Sequence, residues 1–456
     1  MKIKKIEFIQ HPIFQGHSVI FENNGIVPMI TFLTGNNGSG KTKILDEINH
    51  ILQIPMNNIH PYKVVTSVKL SDHEKSQLGV SDNDMEIIIE SYPSGGSYMS
   101  YKSLTGAINS LDSRLFTHQT KVVYSTVEVN FNSTPINSIG SGNIDEVDNP
   151  KEISDNLSAK IPQLLVDISA IDDAELAHWT RQNNGVFPNF IPDSIGKRFQ
   201  RFINAFHRMY DGEKAYKEKK NSEGRIDLIF TDRNNNELSL KDLSTGEKQI
   251  IYRIGFILKN LENMQGGIIL IDEPEISLHP KWQIKLKDIL HEIFDSYDVQ
   301  IIIATHSPYI FQKLDDSSEQ CIKIDRSSVE SKKIQSMSFP RLTVLQNNPS
   351  VQLINYLVYG IYNELLHIEL YTLLQIKECK HTIDSMEAWL LQNVSDQKNF
   401  SRTVRFRNQS IGTLATETLP TFIRNKTHHG DEEGRIYTDE ELKKSIDILI
   451  NLLQRP

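Results

Sequence analysis

Apolar and polar residues alternate over KIKKIEFIQ (residues 2–10), and the pattern closes up into VPMITFLTG (27–35) ahead of a glycine-rich loop. KTKILDEINHIL (41–52) then carries its apolar positions at helical spacing. Strand, turn, strand, loop and helix in that order open an α/β unit. From about Asp82 to Asn132 strand signals dominate, in MEIIIESY and KVVYSTVEVNF, with Pro93-Ser94-Gly95-Gly96 as a turn. This segment predicts an antiparallel sheet beside the first strands. Between about Pro150 and Lys220 the period becomes helical (DDAELAHW, IGKRFQRFINAFHRMY), and DGEKAYKEKKNSEG reads as a charged loop. RIDLIFTD and NELSLKDL, separated by Arg233, Asn234 and Asn235, predict a hairpin.

The next stretch alternates a helix (EKQIIYRIGFILKNLE), an apolar strand (GGIILIDE), a helix (KWQIKLKDILHEIFDSY) and a second apolar strand (QIIIATHS). Strands this apolar imply a parallel sheet covered on both faces. Beyond about Asn347 no strand pattern is visible, and VQLINYLVYGIYNELLHIELYTLLQIKE starts an all-helical tail. The expected fold is therefore α/β, a mixed sheet flanked by helices, with a helical insertion and an all-helical C-terminal domain. Its expected segments are 1–149, 150–224, 225–345 and 346–456.

Charge and cysteine content narrow the function classes. Across 456 residues, 49 Lys and Arg against 58 Asp and Glu leave a net charge of −9, which argues against a uniformly basic nucleic-acid coat. Arg198, Arg201 and Arg208, with Lys214, Lys217, Lys219 and Lys220, form the most basic stretch, either a solvated face or a local nucleic-acid or partner groove. The two cysteines, Cys321 and Cys379, are too few for a disulfide scaffold or a four-ligand zinc site. The amino terminus has no long apolar stretch, and no run approaches the ~18 apolar residues of a membrane span. A cytoplasmic protein without a membrane segment is expected.

Gly35-Asn36-Asn37-Gly38-Ser39-Gly40-Lys41-Thr42 fits G-x-x-x-x-G-K-[ST] between a strand and a helix. Glycines there let backbone N–H groups wrap a phosphate, Lys41 reaches the β- and γ-phosphates of ATP, and Thr42 holds Mg²⁺. Ile268-Ile269-Leu270-Ile271 puts Asp272 and Glu273 at the C-terminal end of a buried strand, the edge where open α/β sheets bind ligands. Asp272 is the expected Mg²⁺ support and Glu273 the expected base on the attacking water.

Leu243-Ser244-Thr245-Gly246-Glu247-Lys248-Gln249 resembles the signature of the ABC ATPase superfamily. That resemblance implies that Ser244 and Gly246 contact the γ-phosphate held by another subunit, so that sites form between the heads of a homodimer or higher oligomer. Ser244 followed by Glu247 also matches an ordinary capping box, and the two readings are compatible. His306 in IIIATHSP resembles the superfamily's switch histidine, and Glu275–Pro280 lies where that family has its D-loop. Gln119 or a residue within 125–130 could serve as the Q-loop. The spacing between Lys41 and Asp272 leaves no room for long coiled-coil arms, and sustained heptads are absent.

DEPEISLHP and ATHSP resemble soluble ATPases of bacterial anti-phage defence. INYLVYGIYNELLHIELY and LPTFIRNKTHHGDEEGRIYTDEELKKSI extend the likeness to the ATPase subunits of Septu-type systems. The resemblance implies an ATPase that hydrolyses ATP slowly and regulates an effector nuclease, most simply an HNH-type partner. Arg424-Asn425-Lys426-Thr427-His428-His429 also fits the R-N-x-x-x-H pattern of HEPN ribonucleases, in which Arg424 and His429 would flank a phosphodiester. The same residues could cap a helix or dock a partner. Two other readings stay open: an ATPase whose own tail is a ribonuclease toxin, and a DNA-repair or recombination ATPase.

Overall fold

The computed structural model describes residues 1–53, 63–70, 76, 86–92, 96–102, 108–110, 122–126, 153–183, 197–222, 225–259, 266–294, 297–312, 314–315, 318–325, 333–337, 349–406, 409–428 and 437–455. They divide into two units, Met1–Met337 and Ser338–Pro456.

The first unit begins with β1 (Lys2–Gln10), β2 (His17–Ile20), β3 (Ile30–Thr34) and the Lys41–Gln53 helix. β4 (Lys63–Lys69), β5 (Glu86–Tyr92), β6 (Gly96–Lys102), β7 (Ile108–Ser110) and β8 (Val122–Ser125) follow, then the helices Ile153–Gln182 and Arg198–Tyr210. After β9 (Lys214–Ser222), β10 (Arg225–Asp232) and β11 (Glu237–Ser239), the Thr245–Lys259 helix leads to β12 (Ile268–Asp272). The Pro280–Phe294 helix, β13 (Gln300–Thr305), β14 (Glu319–Asp325) and β15 (Lys333–Met337) complete the unit.

A six-stranded central sheet runs in the order β15-β14-β3-β13-β12-β8. Its members from β14 to β8 are parallel, with β15 antiparallel at one edge. β3, β8, β12 and β13 are buried along their full lengths, as unbroken apolar runs require. Register decides which residues meet at the end of this sheet. Thr34 on β3 stands opposite Thr305 on β13, and Ala304 stands opposite Asp272 on β12. The segments leaving these strands, at Gly35, His306 and Glu273, therefore emerge side by side at one edge.

An antiparallel sheet, β2-β1-β4-β5-β6-β7, forms the second layer. The Lys41–Gln53 helix buries Ile44, Leu45, Ile48, Ile51 and Leu52, the stripe that 3.6-residue periodicity gives, and shares one core with both sheets through Phe8, Val19, Leu33, Leu270 and Ile302. KVVYSTVEVNF departs from expectation: Val122–Ser125 joins the parallel sheet beside β12, because its buried VVYS run suits a strand covered on both faces.

The charged segment expected as a loop is also a strand. β9 pairs with β10, giving a small sheet β11-β10-β9. Its lysines are matched by acids: Lys214 with Glu247, Lys219 with Asp173, and Lys217 and Lys220 with Glu237. Tyr216 packs edge-on against Phe199. Neutralisation by these neighbours makes a strand of a lysine-rich segment, and it favours the solvated-face reading over a nucleic-acid groove.

The second unit is helical, with Val351–Tyr359, Glu364–Lys377, Ile383–Asn393, Leu419–His428 and Asp439–Gln454. Leu370, Leu374, Met386, Leu390, Phe422, Ile446 and Leu449 form its core. It also contains a hairpin of β16 (Gln397–Phe406) and β17 (Gln409–Thr418), so the tail is not all-helical as expected. Polar residues interleave this pair too densely for alternation to reveal it in the sequence.

Candidate functional site

The loop after β3 turns through Gly35, Gly38 and Gly40, at φ +145°, +72° and +105°, where side chains are rarely tolerated. At Gly35 a Cβ would also lie 2.2 Å from the Ile324 carbonyl oxygen, so β14 pins the start of the loop. Asn36, Asn37 and Gly38 are exposed, Ser39 is buried, and the helix begins at Lys41. Lys41 Nζ donates to the carbonyls of Gly35 (3.1 Å) and Asn36 (3.4 Å). Burial lowers its pKa to about 8 against the pull of Glu273, Glu275 and Asp272.

His306 leaves the end of β13 into the same space. Its Nε2 lies 2.7 Å from Lys41 Nζ and 3.2 Å from Glu273 Oε1, so the imidazole stands between a cation and a carboxylate. The ring is also bonded to the Gly35 backbone. Burial, then the Lys41 charge, pushes its pKa below the ordinary value and keeps it neutral at neutral pH. Glu273 adopts φ +42°, a conformation a non-glycine residue takes only under constraint, and its N–H donates to the Ala304 carbonyl (2.8 Å).

Asp272 ends β12 with 1% of its surface exposed. Thr42 bonds its carboxylate, and burial, with Glu273 and Asp46 nearby, raises its pKa to about 6. Among the described residues its Oδ1 has no hydrogen-bond partner. An orphaned buried oxygen beside a threonine hydroxyl is a donor set suited to a hard, oxygen-seeking cation such as Mg²⁺.

Three residues that sequence reasoning missed complete the surroundings. Arg253, on the Thr245–Lys259 helix and 4% exposed, donates to Ser125 Oγ (3.1 Å) and to the Glu273 carbonyl (3.3 Å). Burial lowers its pKa to about 10 despite Glu275, Asp272 and Glu273. A single charge inside QIIYRIGFIL was the available signal. Tyr124 Oη donates to Asp46 Oδ1 (3.1 Å), and burial with that carboxylate pushes the phenol's pKa up; neither residue belongs to a motif.

Ser244 and Gly246 open the Thr245–Lys259 helix. The capping box is formed: Ser244 N–H donates to Glu247 Oε2 (2.7 Å), and Glu247 N–H donates to Ser244 Oγ (3.4 Å). A Cβ on Gly246 would stand 2.2 Å from the Ser277 carbonyl oxygen, and Ser277 itself sits at φ +63°. Gly246 thus lets the loop after Glu273 press against the helix's first turn. His306 bridges Lys41 and Glu273, with Asp272 held to Thr42 beside them.

In the second unit Arg424 is half-buried and donates to Asn425 Oδ1 (3.2 Å), while Asn425 donates to Glu417 Oε2 (3.2 Å). His429 lies outside the described residues, as does Gln119. No helix among the described residues is long and apolar enough to cross a membrane.

Residues 30–311 match a family model described as "AAA domain, putative AbiEii toxin, Type IV TA system". The chain is 33% identical over 124 residues to the "Retron Ec83 probable ATPase" of Escherichia coli, covering 25% of this chain and 22% of that one. It is 40% identical over 101 residues to the "Retron Vc95 probable ATPase" of Vibrio cholerae serotype O1 biovar El Tor (20% and 19%). With the "Septu protein PtuA" of Bacillus thuringiensis it shares 37% over 98 residues (19% and 24%). The matches thus span about a quarter or less of these relatives. Among solved structures, the SMC head bound to the C-winged helix domain of ScpA aligns with a TM-score of 0.45 at 15% identity, over 75% of this chain and 99% of that one. The SMC head domain from Thermotoga maritima aligns at 0.42 and 13%, over 74% and 100%.

Proposed function

Because the chain belongs to the AAA-domain family matched by residues 30–311, we propose that it is a phosphate-loop ATP hydrolase that turns over ATP slowly at sites completed between subunits and thereby governs an effector nuclease in anti-phage defence. The observation that carries this reading is the meeting of Lys41, His306 and Glu273 beside the phosphate loop, within 3.2 Å at each step.

In this reading the glycine loop wraps the β- and γ-phosphates with backbone N–H groups, and Lys41 neutralises their charge. Thr42 and Asp272 would hold Mg²⁺, which offsets phosphate charge when bound. Glu273, held by its strained backbone and the Arg253 contact to its carbonyl, orients a water and accepts its proton. His306, kept neutral, reads the γ-phosphate position. Ser244 and Gly246 are assigned to a neighbouring subunit's nucleotide, so a homodimer or larger assembly is required for turnover.

Glu273→Gln tests the assignment. It should bind ATP as the parent does while its kcat falls ~100-fold or more, the size of a general-base contribution. Turnover at the parental rate would remove Glu273 from the mechanism.

A nuclease partner, most simply HNH-type, is what the resemblance of the tail to ATPase subunits of Septu-type systems implies, and the likeness to the Septu protein PtuA supports the Septu part of that reading. Its test is to express the neighbouring reading frames with this chain and assay for nuclease activity: no co-purifying nuclease, or cleavage that ignores both ATP and Glu273→Gln, would defeat the regulatory reading. The bonds from Arg424 to Asn425 and from Asn425 to Glu417 support packing or partner docking by that helix rather than catalysis.

A further inference from the structure

Glu275 belongs to the surface loop between β12 and the Pro280–Phe294 helix, yet its carboxylate turns inward. The His306 backbone N–H donates to Glu275 Oε1, and the Thr305 hydroxyl bonds the same carboxylate. Thr305 Oγ1 in turn accepts the Ser307 N–H (3.0 Å). Gln283 Nε2 donates to the Leu278 carbonyl (2.7 Å), and its Oε1 receives the Ser307 hydroxyl at 2.5 Å. One loop and the first turn of the following helix therefore clasp three consecutive residues, Thr305 to Ser307, where the chain leaves β13.

The peptide between Thr305 and His306 lies beyond the ladder, since β13 pairs with β3 only as far as Thr305 opposite Thr34. An N–H just past a strand needs an acceptor, and here it is a carboxyl oxygen mostly out of water, where a hydrogen bond is stronger than in solvent. Orientation of the peptide fixes the direction of the His306 Cα–Cβ bond, and so decides whether the ring reaches Lys41 and Glu273. Neither oxygen of Glu275 is bonded to the phosphate loop.

We propose that Glu275 is a positioning residue for ATP hydrolysis: by holding the His306 peptide it keeps the imidazole between Lys41 and Glu273. The assignment rests on the ATPase reading and adds a residue to it.

Two measurements on the full-length protein separate the proposal from the reading it rests on. In protein labelled with ¹⁵N-histidine, the His306 amide proton, assigned by its loss in His306→Asn, should resonate at low field as a carboxylate-bonded N–H. It should move upfield in Glu275→Ala and return in Glu275→Gln, whose amide oxygen accepts the same bond. This measurement needs no turnover and decides whether Glu275 holds the peptide even if the parent proves inactive. In the ATPase assay, Glu275→Ala should lose ~100-fold in kcat at unchanged KM for ATP, the cost of a misplaced catalytic group, and Glu275→Gln should recover most of it. An unmoved amide or a parental kcat in Glu275→Ala would overturn the proposal. So would a Glu275→Gln protein with its amide restored and its turnover still lost, since Glu275 would then act through its charge. Thermal melts confirm that both variants are folded.

Discussion

Lys41 shows how much burial costs a functional charge. Three carboxylates favour its protonated form, and its pKa still falls to about 8 because the ammonium has left water. Removing it leaves Arg253 as the buried cation facing those carboxylates and, in the proposed reading, takes from the phosphates the ammonium that offsets their charge. Lys41→Ala should weaken ATP binding by about 2–5 kcal/mol, ~30-fold or more in Kd, in a fluorescent-nucleotide titration. His367, in the second unit, is a structural counterpart. It is fully buried, bonds Ser445 Oγ through Nε2 at 2.9 Å, and has its pKa lowered to about 3 by burial. The sign comes from proton counting: below pH 6.5 the unfolded chain binds a proton that the folded chain refuses, so stability falls with pH and the loss continues towards pH 3. About 2 kcal/mol should disappear between pH 6.5 and 5, and His367→Gln should flatten that part of the denaturation profile.

Among the elements, the Thr245–Lys259 helix has the most varied duties. Its first turn is capped by Ser244 and Glu247, its Gly246 lies under the Ser277 carbonyl, and its Arg253 holds the Glu273 carbonyl. A movement at its N-terminus would thus be felt at Ser277 and, two turns on, at Glu273. Gly246→Ala should destabilise the first unit by about 1–3 kcal/mol, because backbone rather than a flexible side chain blocks the new methyl. Its ATPase rate should fall as well. A melting temperature equal to the parent's would show that the Ser277 loop yields without cost. β9 makes a separate point about elements: composition marked it as a solvated loop, and only cross-strand pairing with β10 and the acids Glu237, Asp173 and Glu247 made it a strand.

For the whole molecule, the residues of the proposed nucleotide site lie within Met1–Met337, and Ser338–Pro456 forms a unit with its own core. If Ser244 and Gly246 complete another chain's site, ATP must drive assembly. Glu273→Gln protein in Mg²⁺ and ATP should shift to a larger species by mass photometry, and the same sample carrying Lys41→Ala as well should not. A distribution indifferent to nucleotide would separate the signature from its assigned role.

How much of the fold and the site was legible in the sequence depends on the range of the forces involved. The phosphate loop, the apolar run before Asp272 and Glu273, and the strand before His306 are local patterns, because a glycine turn, a buried strand and a helix start each depend on a few consecutive residues. The third expected segment ended at residue 345; the first unit ends at Met337, and residues 338–348 lie outside the described ones. The β16–β17 hairpin was not legible because polar strands that pair with each other need no apolar alternation. Val122–Ser125 found its place only through its parallel partner β12, and Arg253 and Glu275 acquired meaning only from neighbours distant in the chain: Ser125 for the first, His306 for the second. Sequence pattern records what a residue does to its own backbone. A buried charge is decided by its partners, and those are assembled by strand register.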